Sequence, residues 1–230
     1  MVYLAGTLIT AGIWSVLYFH RRDIRKDILW SSWYFLFIMT VGFIAMKLTI
    51  SISDAQSINP GYWNPDSLFD LNSRTGGYGI EDGLFMFFIG GIAAVIYEEL
   101  FRRHIRYRYI RHRPHHAVLI GVIAAALVAL TGVNLIYAVI AFGLAGALSI
   151  WIARRDLIVH SLLGGVSFLV VYICAYLLIL LFYPEFVAHH YNLDNISSIL
   201  LIGLPLEEYA FALSLGLMWS PLYEYAKDRR

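Results

Sequence analysis

Charged side chains and cysteine are scarce in this sequence. Only 14% of the 230 residues are charged, whereas 60% are hydrophobic, and a soluble domain typically carries about 25% charged residues. The composition therefore predicts an integral membrane protein surrounded by a lipid bilayer. The single cysteine, Cys174, excludes an internal disulfide and a thiol-based metal cluster. It lies in an apolar run, and we interpret it as a packing residue.

The apolar runs are long enough for seven membrane-spanning helices, taking about 20 residues as one span. The first run lacks a recognisable cleavage pattern, and we interpret it as a retained span rather than a signal peptide. A tight turn is expected at Thr131-Gly132-Val133-Asn134, after the short fourth helix. The predicted helices are 2–20, 28–52, 78–101, 116–131, 134–153, 157–183 and 197–225.

The basic residues are segregated, although the net charge is only +1. Fifteen of the 17 Lys and Arg residues fall on one side of the seven-helix arrangement. Because short cytoplasmic loops are enriched in Lys and Arg, we predict a multi-pass cell-membrane protein with its N-terminus outside and its C-terminus cytoplasmic. Bases confined to short loops do not indicate a nucleic-acid partner. The clusters are Arg21, Arg22, Arg25 and Lys26; Arg102, Arg103, Arg106, Arg108, Arg111 and Arg113; Arg154 and Arg155; and Lys227, Arg229 and Arg230.

Two segments of the sequence resemble each other at a spacing of 126 residues. Such self-similarity predicts an internal duplication. The expected fold is an all-α membrane protein built from two parallel three-helix repeats, residues 1–104 and 134–230, with a linking helix in 105–133. The shift aligns Glu81 with Glu207, Asp82 with Glu208, Phe85 with Phe211, Tyr97 with Tyr223 and Glu98 with Glu224.

Four carboxylates lie at the heads of two predicted spans: Glu81 and Asp82, and Glu207 and Glu208. A charge within a span costs about 2.5–3.5 kcal/mol on insertion scales, so such residues tend to face a cavity and to be functional. The alternative is that the acids cap the helix ends, where the helix dipole favours them. An adjacent second carboxylate can raise a pKa and so keep one acid protonated.

Other residues are expected at the level of these acids. Lys47, the one lysine inside a predicted span, is placed to hold one acid ionised. Tyr172, Tyr176, Tyr137 and Asn134 lie on the outer halves of their helices and are candidates for lining the same cavity. On the seventh helix, Phe211 and Trp219 share a face with Glu208.

Three motifs resemble the lycopene cyclase domain family, the flavin-free membrane cyclases of carotenoid synthesis. They are Gly61-Tyr62-Trp63-Asn64-Pro65, Pro205-Leu206-Glu207-Glu208 with Phe211, and Pro221-Leu222-Tyr223-Glu224. Ala212 stands where the family usually has a second Phe, and Gly79-Ile80-Glu81-Asp82 replaces the Pro-Leu-Glu-Glu motif in the first copy. The resemblance covers nearly the whole chain, which looks like two cyclase domains fused.

The resemblance implies redox-neutral cyclisation of the linear ends of lycopene or a related carotenoid, with β-cyclase as the expected type. It implies no cofactor and no metal, and other enzymes of carotenoid synthesis are candidate partners. An acid protonates the terminal double bond, the carbocation closes a ring, and a base removes a proton. The expected acids and bases are Glu207 with Glu208 and Glu81 with Asp82, and the expected cation stabilisers are Phe85, Phe211 and Trp63.

Two other functions remain open. A degenerate cyclase could bind a carotenoid or another isoprenoid without turnover. Glu98-Glu99-x-x-x-Arg103 also resembles the EExxxR signature of the CAAX-type membrane metalloproteases, and Phe186-x-x-x-His190 resembles their second motif. The predicted topology places these two motifs on opposite membrane faces, which argues against a shared metal.

Overall fold

The computed structural model of the protein describes residues 2–49, 52–101 and 115–226. The basic clusters at 102–113 and 227–230 lie outside these residues, as does Arg103 of the protease-like motif, so the predicted orientation remains a prediction. Within the described residues, ten α-helices are present together with one two-stranded hairpin. The helices are α1 (Val2–His20), α2 (Arg25–Thr49), α3 (Leu71–Thr75), α4 (Ile80–Phe101), α5 (His115–Ala129), α6 (Leu135–Ala153), α7 (Ile158–Phe182), α8 (Phe186–His190), α9 (Leu206–Trp219) and α10 (Leu222–Ala226).

The first six predicted spans each coincide with a helix, with ends that differ by at most three residues. The predicted seventh helix, 197–225, is wrong at both ends. Leu200–Leu201 (β1) and Leu204–Pro205 (β2) form an antiparallel hairpin, and Gly203 adopts a positive φ of 80° at its turn. Pro221, which has no N–H to continue the helical hydrogen bonds, follows α9 and separates it from α10.

Four helical stretches are long and apolar enough to cross a membrane, judged over the described residues by length and composition. The count of seven spans and the repeat architecture remain predictions. Many large apolar side chains point outward, including Leu8, Phe37 and Leu181, as expected for a surface in contact with lipid. Cys174 is also exposed, so its predicted packing role is wrong. The four stretches are Arg25–Leu48, Ile80–Phe101, Leu135–Ala153 and Arg155–Phe182.

The helices pack in two groups. In one group α4 packs against α1 and α2, and in the other α9 packs against α6 and α7, while α5 covers α6. The groups meet where α4 contacts α7 and α9, and where α1 contacts α7. Both α4 and α9 therefore lie at the centre of the bundle, and the carboxylates in their first turns are brought to one end of it.

Glycines allow α9 to approach its neighbours closely. A Cβ on Gly143 of α6 would lie 2.7 Å from the carbonyl carbon and oxygen of Ser214 in α9, and a Cβ on Gly216 of α9 would lie 2.8 Å from Cα of Gly165 in α7. These are backbone atoms that cannot rotate away. The position of α9, and thus of Glu208, depends on these contacts.

We predict that Gly143→Ala destabilises the protein by about 1–3 kcal/mol, because the added methyl group overpacks the α6–α9 contact. The matched control is Gly42→Ala, since nothing lies within 4 Å of a Cβ added there. Alanine is favoured over glycine in a helix by about 1 kcal/mol, so the control should be neutral or stabilising. Thermal unfolding in detergent micelles measures both, and equal midpoints would contradict the proposed close packing.

Candidate active site

Two loops cover one end of the bundle and pair with each other. The first loop, residues 52–79, and the second loop, residues 183–205, are joined by backbone hydrogen bonds from Asn64 N to His190 O at 2.7 Å and from Asn192 N to Tyr62 O at 2.9 Å. Between them, Trp63 and Tyr191 form an isolated antiparallel bridge. The two loops therefore form a single cover over this end of the bundle.

Asn134 anchors the first loop to α6. Its Oδ1 accepts a hydrogen bond from Ile136 N at 3.0 Å and so caps the helix. Its Nδ2 donates to the carbonyls of Ala55 at 2.9 Å and Ser57 at 3.0 Å. The turn that follows Ser57 in the first loop passes through Gly61, where an added Cβ would lie 2.2 Å from Asp54 O. Only glycine fits there, which explains why the motif Gly61-Tyr62-Trp63-Asn64-Pro65 begins with this residue.

Beneath this cover is a cavity of about 150 Å³. Seven helices and the first loop contribute to its largely apolar wall. Asp82 of α4 and Glu208 of α9 both line it, so carboxylates from the two helix groups face one space. The other lining residues used below are Tyr3, Trp63, Phe85, Tyr172, Tyr176 and Phe211.

Glu208 is 4% exposed and accepts three hydrogen bonds from phenols. Tyr62 and Tyr191 donate to Oε1 at 2.7 Å and 2.8 Å, and Tyr172 donates to Oε2 at 2.6 Å. Burial raises the pKa of the loop phenols Tyr62 and Tyr191 well above its usual value, and the negative charge of Glu208 raises it further. Both phenols therefore remain hydrogen-bond donors at working pH.

Asp82 has a different set of partners. The hydroxyl of Tyr3, from α1, donates to Oδ1, and the backbone N–H of Gly79 donates to Oδ2 at 2.6 Å. The second bond reaches back to the residue before the helix, as the third residue of a helix does in a capping box. Asp82 thus has one phenol donor, whereas Glu208 has three.

The neighbouring acids, Glu81 and Glu207, bond to the loops. Leu68 N donates to Glu81 Oε1 at 2.6 Å. Ser197 N donates to Glu207 Oε1 at 3.0 Å, and the hydroxyl of Tyr137 donates to the same oxygen at 2.7 Å. Successive helical residues point about 100° apart, which explains how one acid of each pair faces the cavity while the other fastens a loop.

Aromatic rings surround the space between the two cavity acids. The Tyr172 ring lies 5.7 Å from Phe211, 6.4 Å from Phe85 and 5.1 Å from Tyr176. Trp63 packs edge-on against Tyr3 at 4.5 Å. The three predicted cation stabilisers, Phe85, Phe211 and Trp63, therefore all lie at the cavity together with Tyr172 and Tyr176.

Two predicted site residues lie elsewhere. The amino group of Lys47 donates to the carbonyls of Thr75 (3.1 Å) and Gly76 and lies 5.0 Å above the Phe43 ring, beside a second, more polar cavity under the first loop. Trp219 is 1% exposed and packs edge-on against Phe35 at 4.8 Å. Neither is among the described residues that line the cavity of Asp82 and Glu208, and the same holds for two other predicted lining residues, Asn134 and Tyr137.

Sequence reasoning missed Tyr3, Tyr62 and Tyr191. Tyr62 stands beside Trp63 in the first-loop motif, so its position was a usable signal. Tyr191 lies in the second loop and Tyr3 at the start of α1, and neither position has a spacing relation to the acids. Their roles depend on how the loops pair and how α1 packs against α4.

These features define a helical membrane protein in which two tyrosine-bound acids, the buried Glu208 and the partly buried Asp82, line an apolar cavity. The family model described as lycopene cyclase matches residues 1–100 and 134–226. The chain therefore belongs to the lycopene cyclase family, and the match supports a carotenoid cyclase in general terms. No curated protein and no solved structure matches the chain significantly.

The raised pKa of Tyr62 and Tyr191 predicts a loss of stability at high pH. An exposed tyrosine ionises near about pH 10, so above that pH the unfolded chain releases protons that the folded protein retains. The stabilisation is complete below about pH 10 and is then lost by up to about 1.4 kcal/mol per pH unit for each phenol. Thermal midpoints measured from about pH 9 to about pH 11 should fall less steeply for Tyr62→Phe than for the unsubstituted protein, and parallel slopes would contradict the assignment.

Proposed function

We propose that the protein cyclises the linear ends of lycopene, or of a related carotenoid, to ionone rings of the β type. The observation that carries the proposal is that Asp82 and Glu208, from opposite helix groups, line one apolar cavity bounded by aromatic rings. Placing two carboxylates in such a wall is costly, and an acid-base reaction within the cavity explains why both are there.

The reaction requires one proton donor and one proton acceptor. The O–H bond of the protonated acid breaks as a C–H bond forms at the terminal double bond, which leaves a tertiary carbocation. A second double bond of the polyene attacks this cation, and a C–C bond closes the six-membered ring. The base then takes a proton from the carbon beside the new cation, and that C–H electron pair becomes the ring double bond. No oxidant or reductant is consumed.

We assign the donor role to Asp82 and the acceptor role to Glu208. Hydrogen bonds to a carboxylate favour its ionised form, and Glu208 accepts three from phenols. It is therefore the better candidate for the resident anion. Asp82 accepts one bond from Tyr3 and one from the backbone, and when it is protonated it can donate to the Tyr3 oxygen instead.

The aromatic wall supports a cationic intermediate. A cation over a desolvated aromatic face is stabilised by about 2 kcal/mol, and Phe85, Phe211 and Tyr172 are clustered at the cavity. The anionic Glu208 adds an attraction that is strong in a setting without bulk water. An apolar cavity of about 150 Å³ accommodates a six-membered ring such as benzene, which matches the size of the ring to be formed.

The alternatives have weaker support. A protein that only bound a carotenoid would need the apolar cavity but not two carboxylates in its wall. A CAAX-type metalloprotease would need Glu98 and His190 to bind the same metal ion. Glu98 is 16 residues beyond Asp82 along α4, which is about 24 Å at 1.5 Å per residue, whereas His190 O bonds Asn64 in the loop cover.

We predict that Asp82→Asn and Glu208→Gln each lower cyclisation by about 100-fold or more, the usual contribution of a general acid or base. The matched control is Glu185→Gln, because the Glu185 side chain is 79% exposed and should not affect turnover. The measurement is pigment composition in bacteria that accumulate lycopene, after confirming equal amounts of each variant in the membrane. Lycopene left unchanged by the unsubstituted protein would contradict the cyclase proposal.

Glu207→Gln separates the present assignment from one in which adjacent acids work together. If Glu207 and Glu208 formed the acid-base pair, both substitutions would abolish activity. Glu207 instead bonds Tyr137 and Ser197, so we expect Glu207→Gln to retain most of the activity and to lower thermal stability. A loss as large as that of Glu208→Gln would overturn the assignment.

A further inference from the structure

The proposed reaction consumes the proton on Asp82, which must be replaced before the next ring can close. The cavity shared with Glu208 is a poor source, because its wall is largely apolar and the substrate occupies it during the reaction. The new proton must therefore reach Asp82 from another side. A route for this proton rests on the proposed function, since only that reaction consumes it.

The second cavity, under the first loop, is larger and more polar than the first. Its volume is about 780 Å³. The exposed residues Asp54, Asp66 and Asp70 line it, so it borders the surrounding solvent. A polar space of this size is suited to hold water. It can therefore serve as a source of protons.

Asn72 reaches from the second cavity towards Asp82. It lines the second cavity, and its amide oxygen approaches Asp82 at Gly79. A Cβ added to Gly79 would lie 2.6 Å from Asn72 Oδ1 and 3.4 Å from Asp82 Oδ2. The sum of these two distances, about 6 Å, is an upper limit for the separation of the two oxygens. One water molecule that makes two hydrogen bonds of up to about 3 Å each spans such a gap.

The polar atoms around Gly79 are suited to bind water. Both polar atoms of the Asn72 amide, and Oε2 of Glu81, lack a hydrogen-bond partner among the described residues. Asn72 is 6% exposed and Glu81 is 1% exposed, and Glu81 Oε2 would lie 3.0 Å from the same added Cβ. Buried polar groups without a protein partner are usually satisfied by ordered water. Asn72 and Glu81 thus form a polar site for a water molecule next to Asp82.

Asp82 presents one oxygen to each cavity. Its Oδ1 accepts a hydrogen bond from Tyr3, which lines the apolar cavity. Its Oδ2 accepts a hydrogen bond from Gly79 N at 2.6 Å, beside Asn72. A half-turn of the carboxyl group exchanges the two oxygens. A proton taken up at Oδ2 can therefore be delivered to the substrate on the other side.

We propose that Asp82 is reprotonated from the second cavity through a water molecule held by Asn72 and Glu81. A hydronium ion in the cavity gives a proton to this water, and the water passes one of its own protons to Asp82 Oδ2. The new O–H bond on Asp82 replaces the one broken in the reaction, and both oxygen species end as neutral water. Asn72 is a positioning residue, because it acts on Asp82 through the water. The proton that Glu208 received leaves separately, so each cycle takes up one proton and releases one.

Asn72→Leu tests this route, since it removes the amide and keeps a side chain of similar size. Enzyme in which Asp82 is already protonated should close its first ring at the normal rate. Every later ring needs a new proton, so steady-state turnover should fall by about 10-fold or more. Rapid-quench kinetics with lycopene in liposomes should therefore show a burst of one ring per enzyme. The control, Ser73→Ala, changes an exposed residue of the same cavity and should affect neither phase.

Thermal stability distinguishes this role from a structural one. Because the Asn72 amide has no hydrogen-bond partner among the described residues, replacing it by an apolar group of similar size should be neutral or stabilising. The thermal midpoint of Asn72→Leu in detergent micelles should therefore not fall. A lowered midpoint with equal slowing of first and later rings would assign Asn72 a structural role and overturn the proposal, as would a variant in which neither phase is slowed.

A measurement on the unsubstituted protein is independent of any variant. In membranes equilibrated with D₂O, uptake from solvent places one deuterium in each new ring, and mass spectrometry should find this label at every turnover number. A label that falls as turnovers accumulate would mean that the proton returns within the protein, which contradicts uptake from the second cavity.

The two proposals fail in different ways. If the unsubstituted protein forms no ring, the proposed function is wrong and the uptake route falls with it. If rings form but Asn72→Leu does not selectively slow the later ones, the cyclase proposal stands and only the uptake route is wrong.

Discussion

The need to satisfy a buried carboxylate governs the architecture around Glu208. A carboxylate in an apolar interior is tolerated only when its oxygens are hydrogen-bonded. Three phenols meet that need: Tyr172 comes from α7, Tyr62 from the first loop and Tyr191 from the second. Because two of the donors lie on different loops, the loops must meet above the cavity, as they do where Trp63 pairs with Tyr191. The same bonds therefore favour the ionised form of Glu208 and hold the cover in place.

The two helix groups use their paired acids in the same way. The first acid of each pair, Glu81 or Glu207, accepts a backbone N–H from the preceding loop, and the second, Asp82 or Glu208, accepts phenol hydroxyls at the cavity. This agreement of roles accords with the predicted duplication, although the duplication itself remains a prediction. The two acids at the cavity differ in how strongly their ionised forms are stabilised, since Glu208 accepts hydrogen bonds from three phenols and Asp82 from one. In the proposed reaction, that difference assigns the donor role to Asp82 and the acceptor role to Glu208.

Much of the fold could be read from the sequence because apolar runs of span length have few other uses. The first six helices were predicted with ends within three residues. The seventh failed because the apolar residues of 200–205 form a hairpin, which hydropathy does not distinguish from a helix. At the site, Glu208 and Phe211 followed from helical spacing, and Asp82 and Phe85 from the repeat. Tyr3 and Tyr191 could not be predicted, since only tertiary contacts bring them to the acids. Lys47 was misjudged because its long side chain turns to loop carbonyls.

The cavity also bears on the order of events in a molecule with two identical ends. The described residues enclose both acids in one space of about 150 Å³, and a space that takes a single ring cannot hold both termini of a long polyene. In the proposed reaction, a product with two rings therefore requires a molecule with one ring to leave the cavity for the bilayer, turn round and bind again by its other end. Such a molecule competes with fresh substrate at the cavity mouth. The proportion of one-ringed product should thus be set by supply of the starting polyene as much as by the chemistry of ring closure.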